Sequence, residues 1–150
     1  MRQTIVPPAL QQVYRQWHFA PAVISNGLIF CSGIIGTSPD GDPPGEQGLA
    51  GAQAALAETR SAEISTLVAV RDPEAQFATA FEALSAILAE AGATLGDIVE
   101  LTSYHIDMGA HMASFMAVRD RYLTAPWPAW TAIGVSELAV PGGLVELRAV

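Results

Sequence analysis

Glu146 is an ionisable group in a closing run, Leu144 to Val150 (LVELRAV), that apolar residues could have filled. It alternates with Val145 and Leu147 and so faces away from them, with Arg148 on its own side two residues on. Such a carboxylate has two readings. Either it forms an exposed ion pair with Arg148, or it is partly buried with a raised pKa and relays protons to a bound ligand, in which case Arg148 could also reach in as an anion anchor. Trp127 and Trp130, within Pro126 to Val135 (PWPAWTAIGV), fit subunit packing or a platform for a flat, apolar or cationic ligand. Ser32 and Gly33 offer a hydroxyl and a closely approachable backbone, or simply a small pair within a sheet. Cys31 has no basic sequence neighbour to activate it and reads as a buried apolar side chain. His105 and Asp107 share a strand face and His111 follows, but a strand pair supplies only two ligands, so no metal is expected. His105 is then a structural histidine or one lining a ligand site, and His18, beside Phe19, is an outer candidate for acid–base work. There is no G-x-S-x-G, P-loop or G-x-G-x-x-G, which disfavours a hydrolase elbow or a nucleotide site.

Strands and helices must hold these groups, and several are legible. Phe19 to Ile24 and Leu28 to Ile35 flank Ser25-Asn26-Gly27, and Asn-Gly predicts a tight hairpin because both residues accept positive φ. Thr37 to Gly48 is dense in Pro, Gly and Asp and reads as a loop. Leu49 to Arg60 is Ala-rich and compatible with a short helix, whereas Ile64 to Val70 has no clear period. Asp72-Pro73 opens a helix with an N-cap and a first-turn proline; Phe77, Phe81, Leu84 and Leu88 mark its buried face, and Gly92 ends it. Asp97 to Asp107 reads as a strand, and Ala110 to Leu123 as a second helix with Met112, Phe115, Val118 and Tyr122 in one stripe. The Pro141-Gly142-Gly143 turn then predicts a terminal β-hairpin between Pro126 to Val135 and Leu144 to Val150. The order implies an α+β sandwich, one mixed β-sheet with two helices on one face.

Composition narrows the function classes. The 150 residues form one domain by length, with 51% hydrophobic and 15% charged residues. No run approaches the roughly 18 uninterrupted apolar residues of a membrane span, and no signal-peptide core is present, so a soluble cytoplasmic protein without membrane contact is expected. A net charge of −8, with seven scattered arginines and no lysine, disfavours nucleic acid as a partner. Few charges and a mean hydropathy of +0.32 point to apolar surface buried between subunits.

The order of these elements, the Phe30-Cys-Ser-Gly33 strand, the Ala91-Gly92 helix end leading to Asp97-Ile-Val-Glu-Leu-Thr-Ser-Tyr104, and the closing Val145-Glu-Leu147 together resemble the Rid superfamily, also called YjgF, the reactive intermediate deaminases. The resemblance spans Phe19 to Val150 except for 42–71, which reads as an insertion of about 25 residues, long for a connection. It implies a chorismate-mutase-like fold, a homotrimer, and a small-molecule pocket between subunits. It also implies that the deaminases' carboxylate-binding arginine is replaced here by Trp130, while their catalytic glutamate is matched by Glu146. Pro128 to Val135 is similar to an arginine-lacking, YjgH-type branch, and Phe19 stands where a tyrosine is usual. The endoribonuclease label attached to the family gains nothing from so acidic a chain.

The expectation is a cytoplasmic homotrimer handling a small metabolite, without a cofactor, in clefts lined by Phe19, Ser32, Gly33, His105, Trp127, Trp130, Arg148 and Glu146. Hydrolysis of an enamine, imine or related C–N bond is its most natural chemistry, with Glu146 guiding water and a backbone N–H near Ala132 fixing an oxygen. Ordinary 2-imino acid deamination is disfavoured, since an indole cannot grip a carboxylate bidentately. The rival expectation is a non-catalytic binding protein or metabolite sensor.

Overall fold

The structure, a computed structural model, describes residues 1–58 and 63–150. Its strands are β1 (Arg2–Ile5), β2 (Ala22–Ser25), β3 (Leu28–Cys31), β4 (Thr37–Ser38), β5 (Val68–Ala69), β6 (Glu100–His105), β7 (Ala129–Gly134) and β8 (Val145–Ala149). Its α-helices are α1 (Gln11–Trp17), α2 (Ala50–Glu58), α3 (Pro73–Glu90) and α4 (Met108–Tyr122). The class is α+β. Thr59 and Arg60, at the end of the stretch expected to be helical, lie outside the described residues.

The local chemistry accounts for the long elements. Asn26 and Gly27 sit at φ of 51° and 77°, the double positive that a two-residue hairpin needs, and β2 pairs with β3 across them. Asp72 caps α3 by accepting from the Ala75 N–H at 2.9 Å, and Gly92, at φ 77°, lets the chain leave the helix. Phe77, Phe81, Leu84 and Leu88 are all buried, and Phe115 and Val118 of α4 join them in the core. Phe81 stacks on Tyr122, whose hydroxyl donates to Glu82 Oε1 at 3.0 Å, locking α4 to α3.

Two expectations of topology are corrected. The sheet is not single: β1-β2-β3, β4-β5 and β7-β6-β8 are separate. Among the described residues a lone bridge, Ile34 to Leu147, joins the first to the third, with reciprocal backbone bonds of 2.9 and 2.8 Å. Ladder pairing does not extend along Ser32-Gly33, where the Glu146 side chain lies over the glycine. The ends of the chain also do not form a hairpin. β6 lies between β7 and β8, parallel to β7 and antiparallel to β8. Helix α4 provides the crossover that parallel β6 and β7 require, and the turn at Pro141 to Gly143 delivers β8 to the far side of β6.

The segment 42–71 is drawn onto the body at both ends. Arg71 N–H donates to the Gly41 carbonyl at 2.9 Å, its guanidinium pairs with Asp42 and donates to the Asp40 carbonyl at 2.7 Å, and β5 pairs with β4.

Candidate functional site

Strand register sorts the candidates onto two faces. Glu146 stands opposite Tyr104, and Tyr104 opposite Ile133, so these three share one face of the β7-β6-β8 sheet. Leu147, Ser103 and Ala132 occupy the other face, as do Leu101 and Trp130, against α3 and α4. Within one protomer Glu146 and Trp130 therefore point in opposite directions.

Glu146 is half-buried over Gly33: a Cβ on that glycine would lie 2.6 Å from Glu146 Oε1. Desolvation raises its pKa above the ordinary 4.5. Phe19, Ser32, Gly33 and Glu146 line one cavity of about 290 Å³, walled further by Trp17, Ile64, Leu67 and Val140. The Ser32 hydroxyl donates to the Ala20 carbonyl at 2.6 Å, which leaves its oxygen lone pairs for an incoming donor. Four of the expected residues are thus together, and the carboxylate is the one ionisable group among the described lining residues.

The remaining candidates lie elsewhere. Trp130 donates its indole N–H to Ser103 Oγ at 2.8 Å, and the same oxygen lies 2.7 Å from His105 Nε2. His105 is buried edge-on against Phe115, and desolvation lowers its pKa below the ordinary 6.5. A neutral imidazole accepting from Ser103 satisfies the arrangement, so within the protomer this is an interior network. The Arg119 guanidinium lies 4.5 Å from the Trp130 ring centroid and 5.9 Å from that of Trp127, a cation–π pairing along one wall of a separate cavity of about 220 Å³. Arg148 reaches Glu100 at 3.7 Å, an exposed pair, and not the Glu146 cavity. Ala132 lies on β7, an edge strand with no second neighbour among the described residues. Cys31 is buried, its thiol pushed up to about 11 by desolvation, too high for a nucleophile.

Sequence reading missed Gln76. Its side chain is buried and donates to the carbonyls of Val70 at 2.9 Å and Gly142 at 3.0 Å, while its oxygen accepts from the Leu144 N–H at 2.7 Å. It thereby positions the entry to β8 and so Glu146. The available signal was its spacing with Ala80, Ala83 and Ile87 on the inner face of α3. Trp17 and the helix α1 that carries it were also missed.

Comparison with known proteins adds a second line. The family described as Endoribonuclease L-PSP matches residues 10–150. The RutC family protein YjgH of Escherichia coli K12 is 30% identical over 139 residues, 92% of this chain and 86% of that protein. Among solved structures, protein YJGH superposes with a TM-score of 0.72 at 28% identity, covering 99% of this chain and 93% of its own. Rv2704 of Mycobacterium tuberculosis, described as a member of the YjgF/YER057c/UK114 family, gives 0.70 at 20% identity, covering 99% and 97%, a likeness of fold.

Proposed function

The chain belongs to the Rid/YjgF/RutC/UK114 superfamily, and from that premise we propose that it binds a small metabolite at the Glu146 cavity and hydrolyses a C=N or enamine C–N bond there. The observation that carries this reading is a half-buried carboxylate, its pKa raised by desolvation, in a cavity otherwise walled by apolar and hydroxyl side chains. Such a group holds its proton at a higher pH than a solvated one and can pass it to an imine nitrogen or an enamine carbon. Water then adds to the carbon, Glu146 takes up the released proton, and ammonia leaves as the carbonyl forms. Glu146→Gln, which keeps the shape and removes the proton relay, is expected to cut turnover at least about a hundredfold. Unchanged hydrolysis of a freshly generated neutral imine by the variant would sink the assignment.

No cation is among the described residues that line this cavity, and Trp130 lies on the opposite face of the sheet, so carboxylate-bearing 2-imino acids are poor ligands for the protomer. Trp130→Arg is the companion variant: a gain of 2-imino acid hydrolysis over the wild type would place position 130 in a shared cleft between subunits. The apolar walls also favour a second reading, a metabolite-binding protein without chemistry. Ligand-dependent gains in melting temperature with no turnover of any imine would select it.

A further inference from the structure

A second, smaller void of about 100 Å³ adjoins the Glu146 cavity and shares Trp17, Phe19, Ser32, Gly33, Ile35 and Leu67 with it. Its far walls are Leu10 and Val13 beneath, Leu49 and Ala52 at the start of α2, and Ile87 of α3. Apart from Ser32 and Thr37, every described side chain on it is apolar. The wall formed by the segment is seated hard against the body. A Cβ on Gly48 would lie 2.4 Å from the Ala83 backbone nitrogen, and one on Gly51 2.3 Å from Thr37 Oγ1 and 2.8 Å from the Ser38 nitrogen. Only glycine allows so close an approach. An apolar void held open between well-seated elements forfeits the dispersion contacts that close packing would supply. That loss is recovered when a hydrocarbon group enters.

Resting on the reading of the Glu146 cavity as the ligand site, we propose that Gly48, Leu49, Ala52 and Leu67 build a hydrocarbon subsite onto it. The ligand is then a small C–N compound with a short alkyl or aryl group, its polar end at Glu146 and its apolar end against Leu49, Ala52 and Leu67. Leu67, which lines both voids, sets the passage between them.

Neutral amides are stable probes of this arrangement. Dissociation constants of acetamide, butanamide, hexanamide and phenylacetamide, measured by calorimetry on the full chain, are expected to tighten roughly threefold to fourfold per added methylene until the void is filled. Ala52→Phe, which fills the void, abolishes that gradient; Leu67→Ala, which widens it, moves the optimum to longer chains. Equal affinity along the series, a gradient that survives Ala52→Phe, or no binding of hexanamide and phenylacetamide at their solubility limits overturns the subsite. Because binding is read without turnover, a gradient in a protein that hydrolyses no imine refutes the hydrolytic reading alone. Imine hydrolysis without a gradient removes the subsite alone.

Discussion

Glu146 and Gly33 act as a pair, because the carboxylate occupies the volume a side chain at position 33 would need. The atom a new methyl would strike is the far end of a flexible side chain, so Gly33→Ala displaces Glu146 more than it strains the backbone. Stability should fall by no more than about 1 kcal/mol, while ligand affinity or turnover falls at least tenfold. Thermal melts alongside an activity or binding assay check both halves. Burial of the carboxylate also predicts a sign for stability against pH. The folded pKa lies above the unfolded 4.5, so between the two the native state binds more protons and stability declines as pH rises. Glu146→Gln removes that penalty: the variant melts higher than wild type at pH 7.5 and equally at pH 4. A wild type that melts higher at pH 7.5 would show that the carboxylate has an ionic partner. Glu146 was readable from strand alternation and Ser32-Gly33 from composition, but the burial that gives the carboxylate its chemistry depends on Ile64, Leu67 and Val140, which arrive from distant segments.

Among the elements, α3 is the organiser. Its capping and apolar spacing were legible residue by residue, whereas the three bonds of Gln76 were not, since they join Val70, Gly142 and Leu144 through space. Gln76→Leu leaves two carbonyls and an N–H without their partner and is expected to cost about 2–4 kcal/mol. Denaturant melts with an unchanged slope and a lower midpoint would show this; a loss under about 0.5 kcal/mol would mean that water replaces the amide. The terminal strands show the opposite balance. Alternation and the Pro-Gly-Gly turn mark β7 and β8 correctly as strands, yet those signals are local and do not specify which strand becomes the neighbour. Helix α4 decides that by bringing β7 back parallel to β6, which leaves the other edge of β6 for β8.

At the scale of the molecule, apolar side chains remain uncovered on strands that have no second neighbour among the described residues. Leu28 and Phe30 of β3 and Ile133 of the edge strand β7 are each about two-fifths exposed. We infer that copies of this chain cover them, in agreement with the low charge content. Light scattering after gel filtration is expected to give three chain masses, and Ile133→Glu to lower it to one. A monomeric wild type would remove the shared cleft and confine the ligand to the protomer's own cavity. The opposed directions of Glu146 and Trp130 gain a purpose in such an assembly, since the outward face of one protomer could meet the flank of the next.

By itself the sequence determined the class, the capped α3, the Asn-Gly hairpin and the family, because caps, turns and side-chain periodicity are short-range effects that each segment carries within itself. Only the tertiary structure decided that Trp130 is bound to Ser103 beneath α4 while Glu146 faces the cavity, that β6 separates the last two strands, and that Leu49, Ala52 and Leu67 meet Leu10, Val13 and Ile87 around an apolar void. The physical reason is common to all three: partner choice and desolvation arise from segments far apart in the chain, and no local pattern records which of them will meet.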